Sequence, residues 1–139
     1  MDIIRLGGTE RRLYELVAPL VMDAAVIRQN NGYPFKTSGG YEWYVACQNG
    51  AVKGFMPLKG GHGRMLIDNY YAEDDDPSVL SALIAAAVEG RGGTVRLDAT
   101  VLKRHAGVFR ECGFVTVAML KNYEKMTYST EGKGCGDDT

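Results

Sequence analysis

The sequence predicts an α/β (α+β) protein of one domain, and three observations carry that expectation. From Tyr41 to Tyr128, strand and helix patterns follow one another with little connecting chain: three strands, a helix, a strand, a short helix and a last strand. Gln48-Asn49-Gly50, set between two β-rich runs, is a strong hairpin signal. Asp76-Pro77 opens, and Gly90 closes, a stretch whose apolar residues recur at helical spacing.

Asp2 to Leu6 is apolar-rich and ends at Gly7-Gly8, which predicts a first strand. Thr9 is expected to N-cap a helix with Leu13, Leu16, Val17 and Leu20 on one face. Pro19 lacks a backbone donor and clashes with the preceding turn, so a kink or two successive short helices are expected, the second running to about Asn30. Residues 32–40, rich in Gly, Pro, Ser and Thr, read as a loop or an ordered flap.

Glu42 to Cys47 predicts the second strand and Ala51 to Leu58 the third, with Pro57 near a fraying end or an edge. Lys59 to Gly63 reads as a flexible turn into Arg64 to Tyr71, whose Met65-Leu66-Ile67 run predicts a central strand buried on both faces. In the main helix Asp76 is the N-cap and Pro77 the first residue, and Val79, Leu80, Leu83, Ile84 and Val88 share one face. Thr94 to Asp98 is a fifth strand, Lys103 to Cys112 a short helix stopped by Gly113, and Val115 to Leu120, extending toward Tyr128, the last strand. Residues 1–128 are expected to form the domain, and 129–139, where apolar content collapses, a disordered C-terminal tail.

At 139 residues and 45% hydrophobic, the chain can bury most of the surface its unfolded form exposes. Sixteen basic and seventeen acidic side chains leave a formal charge of -1, so no global field draws it to nucleic acid or to an anionic membrane, although a local basic patch is compatible with that balance. Cys47, Cys112 and Cys135 are widely spaced without a Cys-x-x-Cys pair, and two histidines do not make up a structural zinc site, so neither a disulfide framework nor a metal is expected. Cys47 and Cys112 are expected to pack as small hydrophobes. The first residues lack the pattern of a secretory leader, and no eighteen-residue apolar stretch occurs, so a cytoplasmic, membrane-free protein is expected.

The element order and the segment Val108-Phe109-Arg110-Glu111-Cys112-Gly113-Phe114 together resemble the GNAT superfamily, which transfers acyl groups from coenzyme A thioesters to amines. The segment is similar to the family's Leu-Tyr-Glu-x-x-Gly-Phe ending of the fourth helix, and the resemblance spans roughly residues 1 to 128. It implies a mixed, mostly antiparallel central sheet of about six strands with helices on both faces. It also implies an N-acyltransferase with acetyl-CoA or another acyl-CoA as donor and a small-molecule or protein amine as acceptor. A homodimer is compatible with it.

In the family, the fourth strand runs into a V-x-P-x-x-R/Q-G-x-G-x-G/A loop whose amides and helix N-terminus hold the cofactor's pyrophosphate. Laid on this chain without gaps, the Val position is Tyr70, the Arg position Asp75, and the Gly or Ala positions Asp76, Ser78 and Leu80. Tyr70, Tyr71, Ala72, Ser78, Val79 and Leu80 are therefore the cofactor-contacting positions that the resemblance implies. Glu73-Asp74-Asp75-Asp76 is acidic where the family holds phosphate. Each acid about 4 Å from a phosphate would oppose binding by about 1 kcal/mol in water, and each lost charge-assisted hydrogen bond by about 1.5 to 3 kcal/mol. The same carboxylates also cap free amides and complement the helix dipole with no ligand present. Consecutive acids do not reproduce a spaced calcium loop.

The family's fourth-helix Tyr, which protonates the departing thiolate, corresponds to Phe109, and its Asn seven positions earlier to Leu102. A thiol with a pKa of about 8.5 leaves tolerably without that help. For a retained transfer, Asp68 is the candidate base and the Tyr70 amide the candidate oxyanion donor, with Glu42 and Tyr44 as alternatives. His105 is expected as an exposed helix residue, and His62 as part of the Gly-rich turn. Tyr41, Trp43, Tyr44, Tyr70 and Tyr71 are expected mostly in packing, with a cleft lining as the other role.

Two functions follow. One is an acyl-CoA-dependent N-acyltransferase with a degenerate cofactor site. The other is a non-catalytic module that keeps the fold for protein or nucleic-acid interaction, because the loop, the Asn and the Tyr are gone together. The loop is also absent from some virus-encoded, DNA-modifying relatives of the family.

Overall fold

The computed structural model describes residues 1–90 and 95–129. Asn49 and Gly50, with φ of 53° and 79°, turn β2 (Tyr41–Gln48) back into β3 (Ala51–Gly61), the pairing of left-handed residues that matches the strand twist. β1 (Asp2–Gly7) lies antiparallel on the other side of β2. β3 extends into the expected flexible turn as far as Gly61, and the reversal is made by the turn's last two residues, His62 and Gly63, with φ of 47° and 76°. β4 (Arg64–Ile67) then pairs with the end of β3 and lies centrally, as expected, although Met65 and Leu66 are half-buried and only Ile67 is fully enclosed.

The run expected to continue to Tyr71 breaks after Ile67 and returns as β5 (Tyr71–Ala72), paired with Gly54 and Phe55 of β3. Pro57 therefore falls between the β5 and β4 pairings of β3, where the ladder is interrupted and a missing donor costs least. β6 (Arg96–Leu102) runs parallel to β4. The expected start of this strand at Thr94 lies outside the described residues.

The expected single last strand is a hairpin. β7 (Phe114–Met119) and β8 (Tyr123–Tyr128) pair antiparallel, and β8 inserts between β6 and β7. Among the described residues the sheet order is β1-β2-β3-β4-β6-β8-β7 with β5 beside β3, mostly antiparallel, eight strands where about six were expected. The excess comes from β5 and from the divided last strand.

Helices cover both faces. On one, α1 (Arg11–Val21) and α2 (Ala24–Gln29) bury Leu13, Val17 and Val26 against Trp43, Val45, Phe55 and Tyr71. Glu10, not Thr9, holds the N-cap position of α1, and its carboxylate accepts from the Gly7 amide. The chain breaks at Met22-Asp23 rather than at Pro19, which the helix contains, and Asp23 caps α2 through the Ala25 amide. On the other face, α3 (Pro77–Gly90) buries Val79, Leu80, Leu83 and Ile84 as its spacing predicts. α4 (Ala106–Glu111), entered through a 3-10 turn at Lys103–His105, buries Phe109 against Phe114, and Gly113 at φ 102° ends it. Residues 130–139 of the expected tail, with Cys135, lie outside the described residues. Among the described residues, no helix is long and apolar enough to cross a membrane.

Candidate functional site

β4 and β6 stay paired only from Arg64 and Arg96 to Ile67 and Ala99. Beyond that point β4 departs, because Asn69 adopts φ 57° and breaks the alternation of the strand. Two consecutive residues at the end of α2 hold the departing chain. Asn30, 5% exposed, donates through Nδ2 to Asn69 Oδ1 and to the Tyr33 carbonyl, both at 3.0 Å. Gln29 Nε2 donates to the Ala72 carbonyl at 2.8 Å. β5 then crosses so close to β3 that a side chain on Gly54 would meet the Tyr71 carbonyl at 2.5 Å and Val79 Cγ1 at 2.9 Å.

Tyr70 lies in the wedge between the parting strands. Its hydroxyl accepts from the Leu102 amide at 3.1 Å and lies 2.8 Å from His105 Nδ1. Its ring centroid is 5.6 Å from that of Phe109 and 5.4 Å from that of His105. His105 Nε2 in turn lies 2.7 Å from Asp75 Oδ1. A carboxylate only accepts, so Nε2 carries the ring proton, Nδ1 is the acceptor, and the Tyr70 hydroxyl donates to it. Burial holds His105 below the ordinary histidine range, with the Asp75 bond opposing that shift. Burial likewise pushes the Tyr70 phenol well above its usual range, against the pull of the Leu102 amide. His105, expected to be exposed, is 4% exposed. The correction has a simple cause, since its two polar partners, Tyr70 and Asp75, lie far away in sequence.

Three of the four acids of the run, Glu73, Asp75 and Asp76, are engaged within the chain. Asp75, at φ 53°, turns its carboxylate inward and also accepts from Arg104 Nε at 3.1 Å and Gln29 Nε2 at 3.2 Å. Arg104 donates further to the Gln29 carbonyl at 2.9 Å. Glu73 pairs with Lys53 at 3.1 Å. Asp76 Oδ1 accepts from the Ser78 amide at 2.8 Å, and the Asp76 carbonyl from the Leu80 amide at 3.1 Å. Pro77 has no N–H, so among the described residues Val79 alone retains an unclaimed amide in the first turn of α3.

The positions implied for cofactor contact are thus dispersed. Tyr70, Tyr71 and Ala72 are buried, Tyr71 in the α1 and α2 core, while Ser78, Val79 and Leu80 follow on the first turn of α3 with Leu80 fully enclosed. Asp68 is half-buried and does not share a face with Tyr70, because Asn69 intervenes with its left-handed backbone. Asp68 instead lines a cavity of about 280 Å³ with Tyr33, Lys36, Tyr41, Lys59 and Leu66. Burial raises its carboxyl, with the Asn69 amide and Lys59 opposing. Glu42 is engaged by Arg5 at 2.7 Å, and the Tyr44 hydroxyl is buried against Gly90 without a hydrogen-bond partner among the described residues. Both stand on β2, which β3 separates from β4. Gln29, Asn30, Arg104 and His105 complete the site and carry no local sequence signal that marks them out. Cys47 and Cys112 are half-buried.

No protein-family model matches the chain, and no curated protein matches it. Solved structures do. Escherichia coli ElaA superposes with a TM-score of 0.75 over 93% of this chain and 100% of that chain, at 11% identity. An acyl-CoA N-acyltransferase from Pseudomonas aeruginosa gives 0.72 over 93% and 100%, at 13% identity. The CoA-dependent acyl-homoserine lactone synthase BjaI, solved with SAM and isopentyl-CoA, gives 0.64 over 94% and 85%, at 17% identity.

Proposed function

We propose that this chain, whose fold is that of the GNAT acyltransferases, is a binding module that does not seat an acyl-CoA in the manner of that family. The observation that carries this reading is the Tyr70 hydroxyl on the Leu102 amide, because it fills the wedge and claims a donor on its far wall. The start of α3 does not fit a diphosphate either. Its Ser78 amide is capped by Asp76 and Pro77 has none to offer, so a bound phosphate would have to displace a carboxylate for one hydrogen bond. Asp75 contributes less repulsion than its position in the sequence implies, since Arg104 meets its charge. Phe109 stands fully buried where the family's proton donor would be.

Calorimetry with acetyl-CoA tests the reading. The native protein is expected to release no binding heat up to about 1 mM ligand, an affinity weaker than about -4 kcal/mol. A micromolar Kd would overturn it.

Acyl transfer to an amine is the second reading, favoured by the cavity that Asp68 lines just past the end of β4. Its measurement is thiol release from acetyl-CoA with a panel of small amines. A rate above background that falls at least tenfold in Asp68→Asn would support transfer over the binding module.

A further inference from the structure

The strand register places one set of side chains on the sheet face opposite α3 and α4. Lys59, Leu66, Asp98 and Thr127 form one row across β3, β4, β6 and β8. Arg64 and Arg96 lie one step toward the turn on the same face, and Thr100 and Lys125 one step the other way. The alternate residues Met65, Ile67, Leu97, Ala99, Val101 and Met126 pack under α3 and α4. On the first face α1 and α2 cover β1, β2 and much of β3, and the end of β3 together with β4 and β8 presents Lys59, Arg64 and Lys125 as exposed side chains.

Two depressions share Leu66 on this face. The first is the 280 Å³ cavity with Lys36, Lys59 and Asp68, and the second, of about 190 Å³, holds Arg64, Arg96, Asp98 and Lys125. Asp98 is held by both arginines, at 3.2 Å from Arg64 and 2.9 Å from Arg96. Five cations therefore face two carboxylates here, on a chain whose formal charge is -1. Tyr33, 56% exposed, stands at the mouth of the first depression with Tyr41.

From this arrangement we infer that the open face of β4, β6 and β8 binds a short single-stranded nucleic acid. Its phosphates lie along Lys59, Arg64, Arg96 and Lys125, and a base stacks on Tyr33. Three strand spacings of about 4.8 Å carry Lys59 to Lys125 across roughly 14 Å, a span of a few nucleotides. An exposed aromatic ring beside a cationic groove suits unpaired bases better than a closed duplex. The inference rests on the reading of the chain as a binding module. Its test involves no coenzyme A, so the two fail separately.

The test is fluorescence anisotropy with a labelled mixed-sequence DNA 12-mer and its RNA counterpart at several salt concentrations. Four phosphate contacts predict a slope of log K against log salt of about -2.8. The double variant Lys59→Glu/Lys125→Glu is expected to lose at least tenfold in affinity and flatten that slope, and Tyr33→Ala to lose about fivefold or more with the slope kept. Arg12→Glu, a single charge reversal at an exposed α1 position, is expected to stay within twofold. Circular dichroism confirms that each variant folds. Absence of binding to either strand at low salt, an equal loss in Arg12→Glu, or tighter binding to phosphatidylserine vesicles or to an acidic peptide than to the oligonucleotides would overturn the inference.

Discussion

The Tyr70 hydroxyl accepts the Leu102 amide at 3.1 Å and so joins the two strands whose parting follows Ile67 and Ala99. A fold that opens its sheet at this point has the opening laced shut by one phenol, and that phenol is held by His105 and Asp75 behind it.

Removing the hydroxyl alone separates this role from ring packing. Tyr70→Phe leaves the Leu102 amide and His105 Nδ1 without their partner in a buried setting, at a cost of about 1 to 3 kcal/mol. Urea unfolding followed by circular dichroism is expected to show that loss with an unchanged m value. A change under about 0.5 kcal/mol would mean that the hydroxyl is readily replaced by water.

His105 gives the fold a pH dependence whose direction follows from its burial. Its proton affinity is lowered in the folded state, so below the ordinary histidine pKa of about 6.5 the unfolded chain takes up a proton that the folded one resists. The contribution is complete above that value and shrinks as pH falls. Between pH 7.5 and 5.5, native protein is expected to lose up to about 1.4 kcal/mol more stability than His105→Gln. Parallel pH profiles for the two would show that His105 is protonated alike in both states.

Gly54 tests the crossing of β5. An alanine there places its Cβ 2.5 Å from the Tyr71 carbonyl and 2.9 Å from Val79 Cγ1, contacts that only a shift of backbone relieves. Gly54→Ala is expected to lower stability by about 1 to 3 kcal/mol, read as a fall in the urea midpoint. Unchanged stability would show that β5 moves away freely.

What the sequence disclosed was local. Asp76, Pro77 and Gly90 bracket α3, and Asn49-Gly50 sets the β2 to β3 hairpin, because caps and tight turns are decided by residues a few positions apart. The break after Ile67 was hidden inside a continuous β-rich run, since the residue that stabilises Asn69 in its left-handed conformation is Asn30 on another element. The β7 to β8 reversal passes through Leu120, Lys121 and Asn122, without a glycine to announce it. Asp75 was legible as charge but not as a partner, because Gln29, Arg104 and His105 reach it only after the chain has folded. The candidate base Asp68 was visible, but its separation from Tyr70 depended on a single φ angle.

The insertion of β8 between β6 and β7 has a consequence for synthesis on the ribosome. A nascent chain halted before Tyr123 would hold β6 with one flank bare and β7 without a strand partner, however well β1 to β4 had formed. The inner seat is taken by the segment that follows both of its neighbours in the chain, so the facing edges of β6 and β7 stay unzipped until β8 has emerged.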